Sequence, residues 1–293
     1  MTAMPHVGPS ALPTPPEWAE RRTFRAVRSV AGLAVLAVGL AAMGGFILWS
    51  GDLPIGIPLV AVAILLGHIV VLGIRGQSIR RRRRTRAQLI ADPKATAKGV
   101  RFTYSAWAYY WVTAVLVMTV LLALALAAVR LAAPDTVLDI VGGIIFGGSA
   151  LFIGWFLVTL LRLAPGEVTL SPAGVFHRSL TSTHFVPWSA VVDVTAQWHK
   201  TPLLTVDAHP SEETRVRRYM GRLGAGELEH LPGMVIRTSW LASDPVVVYH
   251  AVRFYHAHPD LRAELSTPDG PARINSGWAI CGEARAVSPI EPG

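Results

Sequence analysis

Apolar residues gather first into long uninterrupted runs and then, past residue 162, into short alternating ones. Four runs, at residues 30–49, 54–74, 107–129 and 136–161, each reach the roughly 20 residues that cross a hydrocarbon core of about 30 Å. The first exceeds the apolar stretch of a signal peptide, about 7–15 residues. A tight Ser50-Gly51-Asp52-Leu53 turn ties it to the second, so it reads as a retained helix. Four such runs leave too little polar surface to be covered in water. The pattern predicts an all-α membrane bundle of four helices over residues 29–162, with a basic loop at 75–106, behind a basic, disordered leader at 1–28 that carries five prolines in its first twenty residues.

Lysine and arginine in the short loops set the orientation. Arg21, Arg22, Arg25 and Arg28 precede the first run, and ten basic residues lie between the second and third. The turn after the first run has none, and the link after the third has only Arg130, close to Asp135 and Asp139. Both short turns are therefore expected outside and both termini in the cytoplasm of a bacterial plasma membrane. Trp49 marks an outer boundary, while Trp107, Tyr109, Tyr110 and Trp111 form an inner belt at headgroup level.

Beyond Arg162 the alternation predicts strands at 167–171, 175–179, 184–188, 191–197, 203–208 and 234–239, rich in Val, Phe, Trp and Thr. Ser243-Asp244-Pro245 is a helix start, a capping side chain followed by proline at the first helical position. Val248, Val252 and Tyr255 follow at helical spacing and are the expected core of this half together with Trp188. Pro259 breaks that helix, and residues 266–293 read as a disordered tail.

The segments EVTLSPAGVFHRS, FVPWSAVVDVTA and DPVVVYHAVRFYHAHPDLRAEL resemble the bacterial pleckstrin-homology-like domains that actinobacterial proteins attach to membrane spans. The resemblance covers residues 165–265, about a third of the chain. It implies a cytosolic domain over 163–265, a seven-strand barrel-like sandwich with a C-terminal helix and Trp188 buried beside the third strand, and it implies no catalysis. Lipid-binding members carry a long basic loop between the first two strands. Here that turn is the uncharged Pro172-Ala173-Gly174, so inositide recognition is not expected there.

Composition sharpens this picture. The chain has 293 residues, 52% apolar and only 16% charged, against about 25% charged in ordinary soluble domains, which excludes a plain soluble enzyme. Its net charge of +8 is unevenly divided: residues 1–162 hold 16 basic and 6 acidic residues, residues 163–293 hold 11 and 13. The second half therefore lacks the basic excess that nucleic-acid binding requires. Basic residues adjoining an anionic leaflet contribute about 1 kcal/mol each, which makes Arg80, Arg81, Arg82, Arg83 and Arg84, just inside the second span, the candidate contact with anionic headgroups. Gly143 and Gly147 have the spacing of a helix-packing seam, serving either the bundle or a homodimer.

Intramembrane ionisable groups are default candidates for function, but only His68 and Asp139 qualify, the latter within reach of Arg130. The 208–232 insertion, with Arg215, Arg217 and Arg218, is the other stretch placed to touch the leaflet or a partner. The lone Cys281 excludes a disulfide framework or a cysteine-based zinc site. No HExxH, GxSxG, Walker-type or GxGxxG pattern occurs, so neither enzyme nor cofactor is expected. The expected role is a membrane anchor that presents an interaction domain to an unknown protein partner, scaffolding or regulating it, with a transporter or channel component as the alternative.

Overall fold

Helices long enough to span a bilayer form where the apolar runs predict them: α1 Phe24–Trp49, α2 Leu53–Gly76, α3 Ala106–Ala132 and α4 Val137–Leu163. This computed structural model describes residues 12–18, 24–76, 87–90, 98–199, 201–219 and 231–276. The apolar portions of the four helices are 22 to 27 residues long, about 33–40 Å at 1.5 Å per residue. Their surfaces are as apolar as their interiors: Val35, Leu138 and Leu151 are each more than 70% exposed. Such surfaces suit lipid, not water. The α1–α2 turn closes through Gly51, whose φ of +92° only glycine adopts without strain. Thr136 and Asp139 form a reciprocal capping box at the start of α4, and Arg130 donates to Asp139 at 2.8 Å.

The chain divides into two units. The four helices form one. The other is built from three separated segments: residues before α1, residues between α2 and α3, and everything after α4. Its strands are β1 Gln88–Ile90, β2 Gly99–Thr103, β3 Glu167–Leu170, β4 Gly174–Arg178, β5 Ser182–Pro187, β6 Val191–His199, β7 Thr201–Ala208, β8 Arg215–Arg218 and β9 Met234–Arg237. They make two antiparallel sheets, one ordered β1-β2-β3-β4-β5-β8 and the other β6-β7-β9.

Cross-strand rows follow from the register. Val100, Leu170, Val175 and Val186 lie side by side, and the next row on that face runs Phe102, Val168, His177, His184, Val216. Val100, Phe102, Val168, Leu170, Val175 and Val186 are at most 1% exposed, each contributing about 1.5–3 kcal/mol by leaving water. α5 (Pro245–Ala257) packs on β6, its start capped by Asp244, which accepts from the Val246 N–H. Trp188, Val248, Val252 and Tyr255 are all buried in this unit.

A 3₁₀ segment, Pro259–Ser266, and α6, Asp269–Ser276, complete the chain's described part. Glu264 ties these pieces together. It accepts from the Tyr255 hydroxyl at 2.8 Å and from Arg273 at 2.5 and 2.9 Å in a two-pronged pair. Burial, then the hydrogen bond and charge of Glu264, push the Tyr255 phenol up, and the Glu264 bond raises Arg273.

Four expectations need correction. Nine strands stand where the barrel-like sandwich was expected to have seven, β1 and β2 being additional, and among the described residues neither sheet closes. The leader is not disordered throughout: residues 12–18 are placed, with Leu12 and Trp18 buried. The loop at 75–106 contributes β1 and β2, which join β3 by pairing rather than remaining a linker. The tail begins with α6, whose Ile274 is fully buried. In each case a distant partner supplies the hydrogen bonds and apolar cover that the local sequence lacks.

Candidate functional site

In the helical unit, His68 donates its Nδ1–H to the Ile64 carbonyl at 2.8 Å, which leaves Nε2 as an acceptor. Its ring lies 4.9 Å from that of Trp111 on α3. Trp111 in turn meets Trp107 and Tyr110, at 5.6 and 5.4 Å. Asp139 is the only carboxylate in the four helices, and it is engaged by Arg130 and Thr136. A proton route needs a chain of such groups, and these two are separate. Gly143 faces Leu131 and Gly147 faces Ala127, so both glycines look onto α3. Arg80, Arg81, Arg82, Arg83, Arg84 and Cys281 lie outside the described residues.

In the β unit, His177 and His184 stand opposite each other on β4 and β5. The Tyr104 hydroxyl lies 2.5 Å from His177 Nε2 and its ring stacks on Trp240. Burial holds His177 down to about 3. Burial, with the neighbouring His177 charge, holds His184 down to about 4 despite a backbone bond to Pro232. Both rings are neutral near pH 7 and closed to solvent, an arrangement suited to structure rather than to acid–base catalysis. The three histidines of the α5 region go separate ways. His250 bonds the Pro13 carbonyl at 2.9 Å, His258 donates to Phe254 O at 2.9 Å, and His256 has a buried Nδ1 without a hydrogen-bond partner. Among the described residues no cluster of His, Cys, Asp or Glu is placed to hold a metal.

The opposite face of the six-stranded sheet is polar, and the register builds it in two rows. One is Thr103, Glu167, Arg178, Thr183, Arg217; the other is Arg101, Thr169, Phe176, Phe185, Arg215. Glu167 is only 4% exposed and sits between Arg101, at 2.5 Å, and Arg178, at 2.8 Å. Four arginines against one glutamate leave these rows basic, with Arg215 and Arg217 exposed on the edge strand β8. β8 gives the 208–232 insertion a placed, charged element; residues 220–230 lie outside the described ones.

A second feature has no counterpart in the sequence reading. Residues 12–18 lie in a groove whose floor is the β6/β7 hairpin and whose wall is α5. The Trp18 indole N–H donates to the carbonyls of Gln197, 3.1 Å, and Leu203, 3.0 Å, which face each other across β6 and β7. Its ring meets Tyr249 edge-on at 5.6 Å. The one hint in the sequence is a tryptophan standing alone in a proline-rich leader.

No protein-family model, curated protein or solved structure matches this chain. Its chemistry is therefore read from its own residues: a basic sheet face and an occupied groove, two surfaces suited to binding.

Proposed function

We propose that this chain is an integral membrane anchor of the bacterial plasma membrane that holds a pleckstrin-homology-like interaction domain at the cytoplasmic face, where it scaffolds or regulates a protein partner. The observation carrying this reading is the three-segment construction of the β unit. Segments before α1, between α2 and α3, and after α4 fold into one body, so they share one side of the membrane. The fourteen basic residues before the first run and between the second and third make that side the cytoplasm. Two antiparallel sheets with a following helix support the pleckstrin-homology-like assignment, to which β1 and β2 are additions. Anionic headgroups fall to Arg80–Arg84, and the β unit binds protein. Homodimerisation through this anchor is compatible with the same role.

The test is photo-crosslinking in living cells from residues 215 and 217 on the exposed edge strand, each replaced in turn by a photoreactive amino acid. A discrete adduct with one other protein supports the reading. Adducts with lipid alone overturn it and make β8 a lipid contact.

A further inference from the structure

The groove that holds the leader has the features of a recognition site. Of residues 12–18, only Leu12, Pro15 and Trp18 are buried, while Pro13, Thr14, Pro16 and Glu17 are exposed. Pro13–Pro15 carry no regular structure and Pro16–Trp18 form a 3₁₀ turn closed by the Trp18 N–H to the Pro15 carbonyl at 3.0 Å, so the buried side chains recur at the three-residue period of such a turn. One row of side chains, Leu12, Pro15 and Trp18, is therefore turned to the groove. Its polar contacts are few and directed. His250 donates to the main-chain carbonyl of Pro13 at 2.9 Å, a contact that does not depend on which residue stands there. The paired carbonyls of Gln197 and Leu203 take the one indole N–H, and Tyr249 closes on its ring. Some 180 residues of chain separate Trp18 from these acceptors.

We propose that this groove is a peptide-binding site for a short proline-containing segment anchored by a single tryptophan on a partner protein, and that residues 12–18 are its tethered resident ligand. Because the segment belongs to the same chain, it competes for the groove as an intramolecular ligand. A partner segment of the same chemistry then gains the groove when it is itself concentrated at the membrane or when the leader is withdrawn. The inference rests on reading the β unit as an interaction module, and its test is independent of membrane orientation and of contacts at β8.

The experiment uses the full chain in detergent micelles and a fluorescent synthetic peptide of residues 10–20. Trp18→Ala removes the resident anchor, and the variant is expected to bind the peptide saturably. The wild type should bind it at least tenfold more weakly, and a peptide with the tryptophan replaced by alanine should not bind the variant. Failure of a folded Trp18→Ala protein to bind, or equal binding by wild type and variant, overturns the proposal. Because that variant risks misfolding, a spin label at Thr14→Cys in a Cys281→Ser background supplies a second reading. Excess peptide should raise the label's mobility, and an unchanged spectrum at saturating peptide overturns the proposal.

Discussion

Replacing Trp188 by alanine tests the packing of the β unit at a buried aromatic residue. The ring is 4% exposed, its Nε1–H donates to the Ser171 carbonyl at 2.7 Å inside the core, and the Arg262 guanidinium lies over it at 5.0 Å. Truncating a buried tryptophan to alanine costs about 3–5 kcal/mol in lost burial and residual cavity. The hydrogen bond adds little, because Ser171 O still receives the Gly174 N–H at 3.2 Å, so the carbonyl is not orphaned. Loss of the guanidinium contact adds about 0.5–1 kcal/mol. A total near 4 kcal/mol corresponds to about a thousandfold faster opening at 1.4 kcal/mol per decade. Amide hydrogen exchange of the full-length protein in micelles, read on peptides from β3, β4 and β5, is the assay, since core amides report global opening of the unit. Trp188→Phe, which keeps most of the ring volume, should lose only about one decade. If Trp188→Ala accelerates exchange less than tenfold, the ring is not part of a cooperative core and the packing argument fails.

Other expectations follow from specific neighbours. His177 and His184 are depressed in the folded state to about 3 and about 4, so the unfolded chain binds protons more readily below the ordinary value of about 6.5. Their contribution is complete above pH 6.5 and is lost as pH falls toward 4, about 2 kcal/mol each by pH 5. Opening measured by exchange should accelerate steeply over that window, and His177→Gln should flatten the slope by about half; a flat profile would show that these rings are not buried neutral. In the helical unit, Gly143→Val drives a side chain into Leu131, whereas Gly142 has open space around it. The first should lower thermal stability by about 1–3 kcal/mol and Gly142→Val should be near neutral; equal effects would remove the seam from the α3–α4 contact.

Sequence reading succeeds here where the physics is local. A run of twenty apolar residues has one comfortable solvent, so the four helices could be placed to within a few residues. Strands β3 to β7 alternate strongly enough to declare themselves, and Asp244 with Pro245 marks the start of α5 through cap chemistry alone. The remainder depends on partners far along the chain. β2 is five residues long and lies after a basic stretch; it becomes a strand because β3 offers an edge. Residues 12–18 have a single internal backbone hydrogen bond, Trp18 N–H to Pro15 O, and a composition that reads as disorder, and only a groove made some 180 residues later gives their three-residue spacing meaning. Glu167 looks like a solvent-facing strand residue until β2 and β4 bring Arg101 and Arg178 to it. Net charge summed over the second half likewise hid the basic rows, because β2 lends Arg101 to a face whose other arginines come from β4 and β8.

One side of the membrane must hold the leader, β1 and β2, and the C-terminal half together. The lone thiol makes this directly measurable. Cys281 should resist a membrane-impermeant maleimide in intact cells and react once they are permeabilised, whereas in a Cys281→Ser background a Ser50→Cys thiol in the α1–α2 turn should react in intact cells. Labelling of Cys281 in intact cells, with Ser50→Cys protected, would contradict the account.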